Sequence, residues 1–159
     1  VFGNATGGIE MTETNVEDSP VGWVNRHIKA YVQSNGDNGH EWRPGVPTLL
    51  LTTTGRQTGT RHRTALIYGR SGSDYVVVGS KGGAKRHPAW YLNLSADPRV
   101  DVQVGAEKFA AVARTADGAE RARLWAAMNE IWPSYEHYQE KTDREIPVVV
   151  LSRSAPSDA

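Results

Sequence analysis

The sequence predicts a mainly β domain with peripheral helices, an α+β chain whose antiparallel sheet curls into a small barrel. Three observations lead there. Runs rich in β-branched and aliphatic residues recur along the chain, among them 48–54, 74–79, 99–104 and 146–151. Short, turn-rich segments join most of them, and such connections impose antiparallel pairing because parallel pairs need long crossovers. Closing such a sheet on itself removes its exposed edges. The chain has 159 residues, enough to bury one real core.

Residues 1–10 (VFGNATGGIE), ahead of Met11, read as a leader. With the polar, acidic stretch that follows, they predict a disordered segment over 1–19 before one domain over 20–155. Pro20 opens a helix to about Gln33, with Trp23, Val24, His27, Ile28, Tyr31 and Val32 on one face. That face docks on the core, covers a site as a lid, or makes a peripheral membrane contact, with Arg26 and Lys29 opposite it. Residues 34–45 (SNGDNGHEWRPG) are dense in turn formers and predict a loop. Residues 48–54 form a buried strand that Gly55 ends, and 61–68 the next, so GRQTG connects a hairpin. Residues 70–73 are a turn and 74–79 a third strand.

SKGGAKRHP is a loop, and Pro88 suits the first turn of a short helix through Leu94. Residues 99–104 alternate as a half-buried strand, and Gly105-Ala106-Glu107 turns them into a partner over 108–114. Asp117 and Glu120 predict a capping box for a helix to about Trp132, which Pro133 stops. A second short helix over 135–141 and a strand over 146–151 complete the order.

Eighteen basic side chains balance eighteen acidic ones, which argues against a protein that coats nucleic acid. The balance is local rather than uniform. Seven cations (Arg56, Arg61, Arg63, Arg70, Lys81, Lys85, Arg86) fall within residues 55–86 against one acid, Asp74. The chain has no cysteine, which excludes disulfide and thiolate chemistry and fits a cytoplasmic location. No apolar run approaches the roughly 20 residues of a membrane span, and there is no secretory signal. His27, His40, His62, His87 and His137 show no metal-ligand spacing, so no metal site is expected. The GxSxG nucleophile motif is absent.

Two loops can carry chemistry. In GRQTGTRHRT, glycine lets backbone approach a ligand closely, and Arg56, Arg61 and Arg63 can grip phosphate or carboxylate. Thr58 and Thr64 add hydroxyl donors, although a solvated hairpin tip has the same composition. It is neither a Walker loop nor GxGxxG. In SKGGAKRHPAWY, paired glycines permit a nest of N–H groups, Lys81 adds a charge, and the helix start directs further N–H groups at an anion. Trp90 and Tyr91 can wall a planar ring. Tyr135 and Tyr138 share a helix face, where phenols either pack or donate to a developing oxyanion. Together these features predict a groove for a flat, anionic ligand.

LLTTTGRQTGTRHRTAL, SKGGAKRHPAWYLNLSADPRVDVQVG and YEHYQEKTDREIPVVVL together resemble the deazaflavin-dependent nitroreductases of actinobacteria, the F-420-dependent quinone reductases, over residues 47–151. The resemblance implies a split β-barrel related to FMN-binding, pyridoxamine-phosphate-oxidase-like proteins. It implies coenzyme F-420 as cofactor, an 8-hydroxy-5-deazaflavin with a phosphate and an oligoglutamate tail. The implied reaction passes a hydride from the reduced cofactor to a quinone or another electron-poor acceptor, such as a nitroaromatic. The alternative is a non-catalytic carrier of deazaflavin or FMN.

By the same resemblance, Arg56, Gln57 and Thr58 line the tail or phosphate, and His62, Arg63, Thr64, Ala65, Leu66, Ile67 and Tyr68 form a wall. Val78, Gly79, Ser80 and Lys81 contact the head group and phosphate, and Ala89, Trp90, Tyr91, Leu92 and Asn93 close the site. Tyr135 lies near ring and acceptor, with Tyr138 and Ser80 as further catalytic candidates, and the N-terminal helix covers the acceptor with Trp23 and Tyr31. The family pattern GRxSGxPRTTPL puts His62 at its arginine and Arg61 at its proline, so Arg61, His62 and Arg63 are alternative anionic contacts. Ala65 replaces the pattern's second proline.

Overall fold

Residues 16–154 are described by a computed structural model, and the expected leader over 1–10 lies outside the described residues. Among the described residues the chain runs β1 (Val16–Asp18), α1 (Gly22–Gln33), β2 (Glu41–Arg43), β3 (Val46–Thr54), β4 (Arg61–Ile67), β5 (Gly69–Ser71) and β6 (Asp74–Val78). A 3-10 turn (Lys81–Gly83) leads to α2 (Ala89–Ala96), β7 (Arg99–Val104), β8 (Glu107–Thr115), α3 (Gly118–Ile131), α4 (Ser134–Glu140) and β9 (Val148–Arg153). The strands form one sheet in the order β1-β4-β3-β7-β8-β9-β6-β5, with β2 paired to β3. Mainly β with peripheral helices is the observed class.

The apolar runs are continuous because both faces of the sheet are covered. Successive strand side chains point to opposite faces. Leu49 and Leu51 of β3, Tyr75 and Val77 of β6 and Val149 and Leu151 of β9 therefore meet in the central core. Their neighbours Val76, Val78, Val148 and Val150 pack outward under α3 and α4, against Leu124, Met128 and Tyr135. Leu50 packs outward under α1, against Ile28 and Tyr31.

The expected closure into a barrel does not occur by laddering. The path of paired strands is open, and β4 and β6 approach each other without forming a ladder. Three further expectations change. The segment read as disordered to residue 19 contains β1, which pairs in parallel with Arg61, His62 and Arg63. The loop over 34–45 contains β2, which turns into β3 through Pro44-Gly45, with Gly45 at φ 79°. Residues 70–73 are not all turn, since β5 pairs with β6 around Gly72 and Ser73.

The capping box is also absent. Asp117 stands at the N-cap of α3 without a side-chain cap bond, and Glu120 instead accepts from both Nη atoms of Arg114 at 2.7 and 2.8 Å. A bidentate guanidinium is a stronger partner than one backbone N–H.

α1 is tied down from its C-terminal half. Tyr31 is fully buried; its hydroxyl donates to the Thr48 carbonyl at 3.0 Å and accepts from the Gly105 N–H at 2.7 Å. Gly36 follows at φ 89°, and a Cβ there would sit 2.3 Å from the Gly105 Cα, so the two turns touch backbone to backbone. His27 Nε2 lies 3.1 Å from Thr48 Oγ1, whose own proton goes to the Gly39 carbonyl at 2.7 Å. Burial holds the His27 pKa below its ordinary value.

Tyr31→Phe leaves the buried Thr48 carbonyl and the part-buried Gly105 N–H unpaired and should lower the unfolding free energy by about 1–3 kcal/mol in urea titrations. The pH profile follows from His27, with His87 shifted in the same direction. Both are harder to protonate folded than unfolded, so stability is full above the ordinary histidine pKa of about 6.5 and falls as pH drops through it. A melting temperature flat from pH 7 down to pH 5 would contradict this.

Candidate functional site

The seam between β4 and β6 opens into a cleft of ≈ 1040 Å³. One wall is β4 with the β3–β4 loop, and the opposite wall is the loop after β6 with the start of α2. The ends of β1 and α1, together with Trp42, Trp132 and α4, close the remaining side.

On the first wall, Gly55 to Thr60 fold back through Gly55 N–H to the Thr60 carbonyl at 2.7 Å and Gly59 N–H to the Gly55 carbonyl at 2.9 Å. Arg56 is then fixed by Asn93. The buried Asn93 carboxamide oxygen accepts from the Arg56 backbone N–H at 3.2 Å and from Nη1 at 2.9 Å, while its nitrogen donates to Thr53 Oγ1 at 3.3 Å. Arg56 makes no ion pair among the described residues, so its charge is available to a ligand.

The three alternative cations behave differently. Arg61 turns off the cleft, donating to Thr54 Oγ1 at 2.6 Å and pairing with Asp101. Arg63 lines the cleft with its guanidinium held by Asp18, Nε to Oδ1 at 2.7 Å. His62 also lines it, with Nδ1 3.7 Å from Glu17 Oε1.

On the second wall, Ser80 has right-handed backbone angles, while Lys81 (φ 47°), Gly82 (φ 63°) and Gly83 (φ 82°) are all left-handed. A right-to-left step of this kind makes successive N–H groups converge on an anion. Lys81 is not a glycine, and holding it left-handed costs about 1–2 kcal/mol. Gly83 admits no side chain, since a Cβ there would lie 2.6 Å from the Tyr138 carbonyl oxygen. The anion loop and α4 are therefore locked backbone to backbone.

The third side is aromatic. Trp23 stacks on Trp42 at 6.0 Å and 22°, and Trp42 meets Trp132 at 5.1 Å. Trp132 Nε1 donates to the Tyr138 hydroxyl at 3.4 Å, and Tyr138 sits edge-on to Tyr135 at 6.2 Å. Tyr135 is 4% exposed, its hydroxyl makes no hydrogen bond among the described residues, and burial pushes its pKa well above the ordinary phenol value. A phenol in that state keeps its proton and offers it as a hydrogen bond.

The cleft thus gathers Arg56, Gln57, Thr58, His62, Arg63, Thr64, Ala65, Leu66, Ile67, Val78, Ser80, Lys81, Ala89, Trp90, Asn93, Tyr135 and Tyr138. Besides Arg61, five expected residues lie off it. Tyr68 belongs to the central core, with its hydroxyl 2.7 Å from His40 Nε2. Gly79 donates its N–H to the Pro147 carbonyl at 2.9 Å. Tyr91 turns to Thr115 Oγ1 at 2.8 Å, and Leu92 is half-buried behind the wall. Tyr31, expected over the acceptor, is buried under α1 instead.

Sequence reasoning missed Trp42, Trp132 and Asp18. A lone tryptophan in the Gly/Asp-rich segment SNGDNGHEW was the available signal for the first. The residues present fit a flat polyanion: two wall cations, Arg56 and Lys81, have no carboxylate partner among the described residues, a nest lies beside Lys81, and Trp90 flanks it.

A family model described as F420H(2)-dependent quinone reductase matches residues 23–153. An F420H(2)-dependent quinone reductase of Mycobacterium tuberculosis (strain ATCC 25618 / H37Rv) is 41% identical over 143 residues, covering 82% of this chain and 96% of that protein. A solved structure of an F420-H2 dependent reductase (FDR-A) is 40% identical with a TM-score of 0.63, over 67% of this chain and 94% of that one. A solved structure described as a domain-swapped dimer is 35% identical with a TM-score of 0.65, over 84% of this chain and all of that one. With the matched span running from the start of α1 to the end of β9, the chain belongs to the F420H(2)-dependent quinone reductase family.

Proposed function

We propose that this chain is an oxidoreductase that uses reduced coenzyme F-420 to reduce a quinone. The observation that carries this is the single cleft in which a cationic, glycine-rich half faces an aromatic half holding the Tyr135 phenol. The open seam between β4 and β6 is then the split of a split β-barrel. Bound in its reduced form, the deazaflavin supplies a hydride.

The chain does the rest. Arg56 and Lys81 hold the anionic parts of the cofactor from opposite walls, with Gln57, Thr58 and His62 along the Arg56 wall and Trp90 flanking the ring. Ser80, with its side chain at the head of the nest, and Ala89 complete that half. Thr64, Ala65, Leu66, Ile67 and Val78 present an apolar seam that excludes water, which strengthens every polar contact inside. Tyr135 donates a hydrogen bond to the acceptor oxygen on which negative charge builds, and its raised pKa keeps that donor intact at neutral pH. Tyr138, itself held by Trp132, stands as the second phenol.

Trp23, Trp42 and Trp132 wall a planar acceptor. Nitroaromatics share the flat, electron-poor character of quinones and fit the same wall. The cysteine-free sequence fits a location in the cytoplasm. The exposed Val21 and Trp23 at the mouth suit a peripheral contact with a membrane that holds lipid quinones; no described helix is long and apolar enough to cross one. The carrier reading is not favoured, since the relatives that match are named as reductases.

Mixing the protein with reduced coenzyme F-420 and menadione should bleach the reduced cofactor's spectrum far faster than the uncatalysed reaction; no acceleration would sink the reading. Tyr135→Phe should lower kcat by roughly 10²-fold, in the range for loss of one oxyanion donor, with cofactor Kd nearly unchanged. Equal losses in kcat and Kd would make Tyr135 a binding residue instead.

A further inference from the structure

Arg144, in the turn between α4 and β9, bonds the loop after β6 at four points. Its Nε donates to the Ala84 carbonyl at 2.8 Å, Nη1 to the Gly79 carbonyl at 3.1 Å, and Nη2 to the Ser80 carbonyl at 2.7 Å. Nη1 also lies 3.0 Å from His87 Nδ1, which must accept because guanidinium only donates. No carboxylate pairs with Arg144 among the described residues. Burial depresses its pKa, yet an arginine remains a cation.

The arginine is itself held. Gln139 Nε2 donates to the Arg144 carbonyl at 2.8 Å, its Oε1 accepts from the Ile146 N–H at 2.9 Å, and the Arg144 N–H reaches Thr142 Oγ1 at 3.3 Å.

The consequence lies on the other side of the loop. In a planar trans peptide the C=O and the following N–H point in opposite directions. Drawing the carbonyls of Gly79 and Ser80 onto Arg144 therefore turns the N–H groups of Ser80 and Lys81 away from it, on the side where both residues line the cleft. Those two N–H groups donate to nothing among the described residues. A cation behind the carbonyl ends also polarises both peptides so that the N–H ends are more positive.

We propose that Arg144 is the positioning residue of an anion site formed by the N–H groups of Ser80 and Lys81 with the Lys81 ammonium, and that the anion is the phosphate of the cofactor. This rests on the function proposed above. Lysine cannot replace the arginine, because one ammonium cannot span carbonyls that the planar fork reaches together.

The test compares two ligands on cofactor-free protein, by ligand fluorescence at equilibrium: coenzyme F-420 and 8-hydroxy-5-deazariboflavin, which has the same ring without phosphate or tail. Arg144→Lys should weaken the coenzyme roughly ten- to hundredfold, the range for losing hydrogen bonds to a charged group, and leave the deazariboflavin within about twofold. Equal loss for both ligands would reduce Arg144 to a scaffold residue, and no loss for either would remove it from the site.

Amide hydrogen exchange on the wild-type protein gives an answer that does not depend on the variant folding. The Ser80 and Lys81 amides should exchange fast in the free protein, become protected by the coenzyme and stay fast with the deazariboflavin; protection by both ligands or by neither overturns the proposal. A wild-type protein that binds neither ligand would instead overturn the reading of the function.

Discussion

The pairing of β6 with β9 is the constraint on which the site depends. Val78 pairs with Val148, and just beyond them the Gly79 N–H reaches the Pro147 carbonyl at 2.9 Å, so the two chains leave the sheet side by side. A Cβ on Gly79 would come within 2.9 Å of the Pro147 ring, which leaves no room for a side chain between them. One of the departing chains becomes the anion loop, and the other supplies Arg144. Both strands are buried on both faces, and that burial anchors the register. Slipping the pair by one residue would exchange every central-core valine for an outward one. The clamp of Arg144 on its four acceptors is thus a downstream effect of sheet packing.

That dependence explains what could be read from the sequence. The strands over 48–54, 74–79 and 99–104 were legible because their apolar content is set by local burial, and the two loops that line the cleft were legible because glycine and cations cluster within ten residues. The strands β1, β2 and β5 have three residues each, too few for any periodicity, and they exist because β4, β3 and β6 offer them an edge. Only Pro44-Gly45 carried a local signal, a proline followed by a left-handed glycine of the kind that closes a tight turn. Closure of the sheet was misread because it depends on whether two strands far apart in sequence meet. The resemblance put Tyr68 in the wall of the site and Tyr31 on the helix covering the acceptor, whereas their hydroxyls satisfy interior groups at Thr48, Gly105 and His40.

Charge counting misled in a related way. Seven cations against one acid in residues 55–86 suggested a strongly positive groove. Asp18 and Asp101, from outside that window, neutralise Arg63 and Arg61. The Asp18 pair has side-chain exposures of 13% and 14%, so it is a structural tie that fastens β1 and the start of α1 to β4. Glu17 stands beside His62 in the same fashion. The charge left for a ligand is that of Arg56 and Lys81, one on each wall, and a bound polyanion must reach across the cleft to use both.

The aromatic half obeys a different logic. Trp23, Trp42 and Trp132 come from α1, β2 and the end of α3, elements that share no ladder. Trp132 is fixed through Tyr138 to α4, and α4 is fixed through Gly83 to the loop after β6, so this end of the wall moves only if that loop moves. Trp23 stands at the opposite extreme. It is 54% exposed, near the start of a helix whose buried contacts, Ile28 and Tyr31, lie one to two turns further along. Its stacking on Trp42 therefore rests on few contacts of its own, and stacked aromatic pairs contribute only about 0.5–1.5 kcal/mol beyond the area they bury. The wall grades from a rigid end beside the phenols to a weakly held end at the mouth. Under the proposed function, the stiff end would orient the reacting ring, and tolerance for acceptors of different size would lie with Trp23.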